Sequence, residues 1–520
     1  MNWIIAVFAV ASLICWSAVV RYDIQMFQQN SYRYSRYWTW LKKGNVLRHN
    51  RWMFLILSFL LWIPYITWCI SLFMVSYAVW EFRTRYKIKI AYTARVKRLL
   101  TADFILTALV NILVYVYAGH DWFCLSAVLS LLLSKLTVVA ADFLLQPLEK
   151  QINLHYVRDA KRILASNKDL LIIGITGSFG KTSTKNILYR VLSEKYNVLM
   201  TPGNFNTTLG VVRTIREHLK PYHQVFIVEM GAKQTGDIKE ICDLVHPHIG
   251  IVTSVGNMHL ETFKTLQGVG KTKFELLDSL PSDGLGIINM DSEGIASYPA
   301  KPTHCRIVTS AIKADGTDVK AENIAYSRRG VSFDVCIKGK ESYRVETRLL
   351  GEGNILNVLV SLAAADHLGV SVKQQKSALA SLQPVEHRLS ISNKGGLTVL
   401  DDAYNSNPSG ARMALAVLKQ IAADAGSKGI VVTPGFVEMG VQQEEANRGL
   451  GRDIARYADK AIIVNRYNRQ AIVDGLKEGG FKEEDMYCVD SLDQAVLKLG
   501  AICSSGDVVL YENDLPDTFK

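Results

Sequence analysis

The chain has 520 residues, 49% of them hydrophobic, with 59 Lys+Arg against 48 Asp+Glu and a formal net charge of +11. The first 150 residues hold 16 basic and 6 acidic side chains and all nine tryptophans, whereas the other 370 are nearly balanced at 43 and 42. This excludes a uniformly basic nucleic-acid binder and indicates a membrane module ahead of a larger soluble portion, because Lys/Arg flanks and interfacial Trp mark membrane helices.

Residues 3–20 form a charge-free apolar run about long enough to cross roughly 30 Å of hydrocarbon. No basic residue precedes it and no small-residue cleavage pattern follows, which favours a retained helix over a signal peptide. A further uncharged run covers 53–80, and 99–118 and 122–146 complete the set as a third and a fourth apolar run. Basic clusters flank the second run on both sides, from Arg21 to Arg51 and from Arg83 to Arg98. The positive-inside rule places both in the cytoplasm if the run bends back near Pro64; an ordinary four-span topology is the alternative. The last two runs read as a hairpin turning at Gly119-His120-Asp121, which would set Asp103 near Lys135 and Arg98 near Asp142. These readings give a multi-pass cell-membrane protein in contact with membrane lipids, its catalytic portion cytoplasmic. The eight cysteines are scattered without a C-x-x-C and read as reduced thiols.

After a charged bridge at 149–168, short apolar runs alternate with helix-period stretches. Strands are expected at 170–176, 197–201, 225–230 and 250–255, a strand-rich stretch at about 305–350, then a helix from about Ile355. A second α/β block carries strands at 397–401, 429–433, 461–464 and 508–511. The fold class is therefore an α-helical membrane region followed by α/β: a P-loop ATPase domain with a mainly parallel sheet, then a Rossmann-like domain. The divisions fall at 1–150, 151–385 and 386–520.

The sharpest motif is LLIIGITGSFGKTSTKNIL at 170–188. A buried strand runs into Gly177, Ser178 and Gly180, then Lys181, Thr182 and Ser183 open a helix. Such a loop wraps phosphate with backbone N–H groups, Lys181 reaches the β/γ-phosphates and Thr182 can ligate Mg2+, although Ile175 stands where the strict pattern has its first Gly. Glu229, at the end of an apolar strand, needs a metal or cation partner to offset its burial.

TGSFGKTST resembles the ATP loop of the Mur ligases, which add amino acids to peptidoglycan precursors. TPGNFNTTLGV (201–211), FIVEMGAKQTGDI (226–238), TSVGNMHLETF (253–263), GVGKTKFELL (268–277), GEGNILNVLVSLAAA (351–365), HRL (387–389) and DDAYNSNPSG (401–410) follow in the family's order. The pattern looks most like the branch that joins D-alanyl-D-alanine to a UDP-N-acetylmuramoyl tripeptide. The resemblance implies an ATP-dependent carboxylate–amine ligase that proceeds through an acyl phosphate. It implies that Lys181 and Thr182 hold ATP phosphates, that Thr182, Glu229 and His259 hold Mg2+, and that Lys273 is carbamylated into a metal ligand. Asn357 would face adenine, and Arg388, Asp402 and Asn405 would contact the nucleotide. Asn204 and Asn206 would line the acceptor side.

Three departures accompany the resemblance. Membrane sequence stands where the family keeps a uridine-nucleotide-binding domain. Gly353 replaces a His, with an altered loop at 433–440. The chain also lacks a Lys-Gly-Ser-Arg-like segment, carrying VVLYENDLPDTF at 508–519. The implied partners are ATP, an amino acid or dipeptide, and a carboxylate acceptor on a cell-wall or lipid-linked precursor, with no nucleic acid. Other readings are a membrane-bound synthetase of a poly-γ-glutamate-like polymer, a nucleotide-binding scaffold without ligase chemistry, and an ATP-driven transporter.

Overall fold

A computed structural model describes residues 2–42, 51–61, 66–84, 86, 88–256, 263, 265–299, 302–327, 330–384, 387–403, 407–437 and 439–514. The chain divides into two compact units, residues 1–154 with 515–520, and residues 155–514.

The first unit is helical: α1 Asn2–Gln29, α2 Tyr34–Trp40, α3 Trp52–Leu60, α4 Ile66–Arg83, α5 Ala94–Ala118, α6 His120–Leu132 and α7, which begins at Ser134 and ends at Ala165. Among the described residues, α1 from Trp3 and α5 are long and apolar enough to cross a membrane, and α6 with α7 makes a third span only if the bent pair counts as one. Ile105, Leu109, Ile112 and Val116 on α5 are exposed, an apolar exterior suited to lipid. The expected bend at Pro64 lies outside the described residues. The run at 122–146 is not one straight helix: α6 and α7 meet at an 80° bend.

A buried carboxylate of α1 sits at this bend. Asp23 is fully buried and takes both Arg51 nitrogens at 2.8 and 2.7 Å, the Ser134 hydroxyl at 2.5 Å and the Lys135 ammonium at 3.6 Å. Ser134 and Lys135 begin α7, so the carboxylate captures the chain where the helices break. That contact corrects the straight-hairpin expectation. Lys135 pairs with Asp23 and not Asp103; Asp142 pairs with Arg95 at 2.9 Å, and Arg98 with Glu149 at 2.6 Å. The Gly119 turn is as expected, with φ +88 between α5 and α6.

The second unit contains two sheets. The first has order β2-β3-β1-β4-β5-β6-β7-β8-β9, parallel from β2 to β7 and antiparallel at β8 and β9. Its strands include β1 Leu171–Thr176, β2 Val198–Met200, β3 Val225–Glu229, β4 Ile249–Val252 and β5 Leu285–Asn289, with β6 to β9 between 306 and 347. Helix α8 is Lys181–Leu192, α9 Thr208–His218, α10 Asp237–Val245, α11 Leu266–Asp278 and α12 Glu352–His367. Alternation along the strands builds both faces. Ile173, Ile175, Ile227 and Ile251 pack with α8 and α12, while Ile172, Phe226, Val228 and Val252 pack with α9, α10 and α11. Helices on both sides explain why the strands read as continuous apolar runs.

The second sheet has order β10-β11-β15-β12-β13-β14, parallel except for β10. Its members are β10 Ser390–Lys394, β11 Leu397–Asp402, β12 Gly429–Thr433, β13 Lys460–Val464, β14 Met486–Val489 and β15 Val508–Glu512. Both sheets agree with the expected fold class, while β5, β10 and β14 were not anticipated. All eight cysteines are free, as read from their spacing.

Replacing Asp23 by Ala would leave Arg51 buried without its carboxylate, a loss of about 3–5 kcal/mol for a broken buried pair. Unfolding of the full chain in detergent should show a clearly lowered midpoint for Asp23→Ala. Arg466→Ala, at the exposed pair with Asp490, should leave it unchanged.

Candidate active site

The strand order reverses at β1: the chain moves from β1 to β3 and β2 on one side and to β4 on the other. Such a switch point opens a crevice at the carboxyl ends of parallel strands, where ligands bind in open α/β sheets. Both the phosphate-loop motif and Glu229 fall there, because Ile175 of β1 is in register with Glu229 of β3.

Gly177, Ser178 and Gly180 form the loop after β1. Gly180 has φ +80, and a Cβ there would run into the Asn357 amide, so glycine is required on both counts. The loop is buttressed from the turn after β4. The N–H of Phe179 donates to Ser254 Oγ at 2.7 Å, that of Ser178 to the Ser254 carbonyl at 2.8 Å, and Gly256 N–H to Ser178 Oγ at 3.0 Å. Lys181 Nζ donates to the carbonyls of Gly177 at 2.7 Å and Ser178 at 3.3 Å. Burial pushes this amine down to about 8, with Glu229 opposing and Arg388 adding to the shift.

Glu229 is 1% exposed. The Thr182 hydroxyl lies 3.1 and 3.0 Å from its two oxygens, Lys185 Nζ donates at 2.9 Å, and Asn206 Nδ2 at 3.2 Å. Burial alone would raise this carboxyl, but the charges of Lys185 and Lys181 outweigh it and hold it below its usual value. Arg388, from the segment entering β10, donates to Thr182 Oγ1 at 3.3 Å.

Mg2+ prefers octahedral oxygen ligands at about 2.0–2.1 Å, which sets adjacent ligands about 2.9 Å apart. The Thr182 and Glu229 oxygens, 3.0 and 3.1 Å apart, match such an edge. Among the described residues there is no group of three or more His, Cys, Asp or Glu that could hold a metal.

The other expected site residues fall at different distances from this centre. Lys273, on α11, is 4% exposed. Burial lowers its amine to about 7, and the charge of Lys181 adds to that shift. Asn357 lies under the loop, its Oδ1 accepting from Thr184 at 3.1 Å. Ser183 is half-buried in the first turn of α8. Asp402 ends β11 and accepts the Leu389 N–H at 2.9 Å. Burial raises its carboxyl to about 6 against the pull of that N–H and of Arg388. Asn206 joins the Glu229 cluster, whereas Asn204 is exposed. His259 and Asn405 lie outside the described residues.

Lys185 and Ser254 were missed. Lys185 is four residues beyond Lys181 on a helix face that also buries Thr184, Leu188 and Val191, and that spacing was a usable signal. Ser254 lies in the TSVG string already singled out, but its service to the loop depends on β4 lying beside β1.

Residues 175–365 match the model of the Mur ligase middle domain, and residues 387–511 match that of the Mur ligase, glutamate ligase domain. The UDP-N-acetylmuramoyl-tripeptide–D-alanyl-D-alanine ligase of Mycobacterium tuberculosis (strain H37Rv) is 32% identical over 361 residues, covering 66% of this chain and 70% of that one. The Bacillus subtilis enzyme of the same name is 26% identical, covering 66% and 72%. Among solved structures, MurF from Acinetobacter baumannii superposes with a TM-score of 0.63 at 26% identity, covering 70% of this chain and 78% of that one. MurF from Thermotoga maritima in complex with ADP has the same fold, with a TM-score of 0.62 at 24% identity, covering 69% and 80%.

With Lys273 unmodified, its lowered value gives stability a pH slope. Between about pH 7 and the ordinary lysine value of 10.5, the unfolded chain holds the proton that the folded chain has released. Stability therefore rises with pH in that window, by up to about 1.4 kcal/mol per pH unit from one such group. Denaturant unfolding at pH 7, 8 and 9 should show wild type gaining on Lys273→Met as pH rises. A constant gap would contradict the buried, proton-poor amine.

Proposed function

The chain belongs to the Mur ligase family of ATP-dependent ligases, and from that premise we propose that it activates a carboxylate on a cell-wall or lipid-linked precursor and joins it to a D-alanyl-D-alanine-like dipeptide or an amino acid. The observation that carries this reading is the buried Thr182–Glu229 oxygen edge, set beside Lys181 and Arg388 at the switch point of the sheet.

In this reading the loop from Gly177 to Ser183 binds ATP, and Lys181 leaves its loop carbonyls to reach the β/γ-phosphates. Thr182 and Glu229, with His259, hold Mg2+, which supplies Lewis-acid stabilisation of the phosphoryl charge. Asn357, Arg388, Asp402 and Asn405 contact the nucleotide, and Asn204 and Asn206 face the acceptor. Lys273 is carbamylated. A neutral amine is the form that attacks CO2, and burial of Lys273 supports a substantial neutral fraction near pH 7.

An acceptor carboxylate oxygen attacks the γ-phosphorus, the bond to ADP breaks, and an acyl phosphate forms. The incoming neutral amine then attacks the acyl carbon, the bond to phosphate breaks, and the proton lost from the amine nitrogen ends on the departing phosphate as the amide forms. Lys181 and Arg388 bring these anions together without proton transfer of their own, so their contribution is positioning and charge stabilisation. Closure of the two sheet-bearing halves would keep water from the acyl phosphate.

The long apolar helices α1 and α5 support a multi-pass membrane anchor, with the ligase portion in the cytoplasm and membrane lipids as partners. They stand ahead of the ATP loop, in the place where the resemblance would put a domain for the uridine nucleotide. This supports an acceptor carried on a lipid and recognised partly by the first 150 residues. A membrane amino-acid-polymer synthetase is the rival reading, favoured by one observation. The altered segment at 433–440 begins at the carboxyl end of β12, and that at 508–519 opens with β15, its paired neighbour.

Two experiments test the proposal. Membranes supplied with ATP and a panel of amino acids and dipeptides should release ADP and yield an amide product by mass spectrometry, and Lys181→Ala should reduce release at least 100-fold. Equal release from wild type and variant would defeat the ligase assignment. Removal of residues 1–150 should cost ligation of a lipid-linked acceptor more than that of a UDP-muramoyl peptide. Undiminished ligation of both would leave the helices as a tether alone.

A further inference from the structure

We propose that Lys185 is a positioning residue that ties the acceptor-side loop to the metal-binding carboxylate, so that one ammonium sets both the orientation of Glu229 and the place of residues 201–206. The proposal rests on the reading that Thr182 and Glu229 hold Mg2+.

Lys185 Nζ donates to Glu229 Oε2 at 2.9 Å and to the Gly203 carbonyl at 2.7 Å. Its side chain is 1% exposed and that of Glu229 2%. The loop is tied to the same glutamate at two further points. Asn206 Nδ2 donates to Glu229 Oε1 at 3.2 Å, and Thr201 Oγ1 accepts the Glu229 N–H at 3.1 Å. Asn206 is held in turn, its carbonyl accepting the Gly231 N–H at 2.7 Å. Lys185 and Asn206 thus take opposite oxygens of one carboxylate, while Thr182 Oγ1 spans both.

A buried ion pair is seldom worth more to stability than well-packed apolar side chains of similar volume. At this position on α8, beside Thr184, Leu188 and Val191, a Met would serve packing as well. What Met could not supply is a fixed positive charge on the far side of Glu229. Once a divalent ion approaches the Thr182 edge, the carboxylate is drawn toward it and away from Asn206. Lys185 opposes that swing from Oε2. Its bond to Gly203 carries any displacement of Glu229 into the acceptor-side loop. Lys181 differs, because it bonds carbonyls of its own loop and can turn from them to phosphate.

The test uses the full chain in detergent, with a fluorescent ADP analogue as probe and Mg2+ as the variable. For Lys185→Met, the Mg2+ concentration that half-maximally enhances probe binding should rise at least tenfold, while Mg2+-free binding stays within twofold of wild type. Hydrogen exchange of the amides at 203–207 should accelerate at least tenfold without nucleotide. Lys185→Arg keeps the charge but presents a planar fork in place of a compact ammonium, and should shift the Mg2+ midpoint by a smaller factor. If Lys185→Met does not fold, Lys185→Arg decides alone. A Mg2+ midpoint within twofold of wild type in the folded variants, or unchanged exchange at 203–207, overturns the proposal. If Mg2+ fails to enhance probe binding in wild type itself, the underlying assignment of Thr182 and Glu229 fails instead.

Discussion

The catalytic half of this protein depends on keeping one carboxylate ionised where water is excluded. Glu229 is almost wholly buried at the end of β3, where an isolated charge would be prohibitive. It persists because Thr182, Lys185 and Asn206 surround it from three different segments. Those contacts require β3 beside β1, the loop after β2 folded over both, and α8 entering at Gly180. The register of Ile175 with Glu229 is therefore a functional constraint as much as a folding one. A slip of one residue would turn the carboxylate into the opposite layer of apolar side chains.

The same principle operates in the helical unit with a different outcome. Asp23 is also a buried carboxylate held by two cations and a hydroxyl, from Arg51, Lys135 and Ser134. There the partners close the shell from all sides and fix a bend between α6 and α7. At Glu229 the Thr182 hydroxyl bonds both oxygens and can yield to a metal. What differs is the place of the hydroxyl: Ser134 opens a helix inside the helical unit, whereas Thr182 follows directly on the phosphate loop.

How much of this could be read from the sequence follows from how local each signal is. The phosphate loop was legible because strand, glycines, Lys-Thr and helix are contiguous, and β1, β3 and β4 because buried parallel strands are short uninterrupted apolar runs. Strand β10 was not, since its mostly exposed Ser390–Lys394 segment carries no apolar signal and is held by pairing with β11 alone. The pairs Arg95–Asp142 and Arg98–Glu149 escaped because the straight hairpin omitted the 80° bend, at which Ser134 bonds Asp23 more than 100 residues away. Lys185 escaped for a related reason. Its partners come from β3 and the loop after β2, so its own segment shows only a lysine on a helix.

The distribution of charge explains why burial carries so much of the chemistry. The excess positive charge belongs to the first 150 residues, and the remaining 370 are close to neutral. A near-neutral ligase portion generates little long-range attraction for a triphosphate, and at physiological salt any field fades within about 8 Å. Discrimination must then come from cations placed at contact distance. Lys185 and Lys181 act on the single carboxylate of Glu229, Arg388 bonds its Thr182 partner, and the buried Lys273 lies close enough to Lys181 to feel its charge. In such a low-dielectric site each contact with phosphate is stronger than it would be on the surface. The cost is borne by Lys181 and Lys273, which burial holds below the ordinary proton affinity of a lysine.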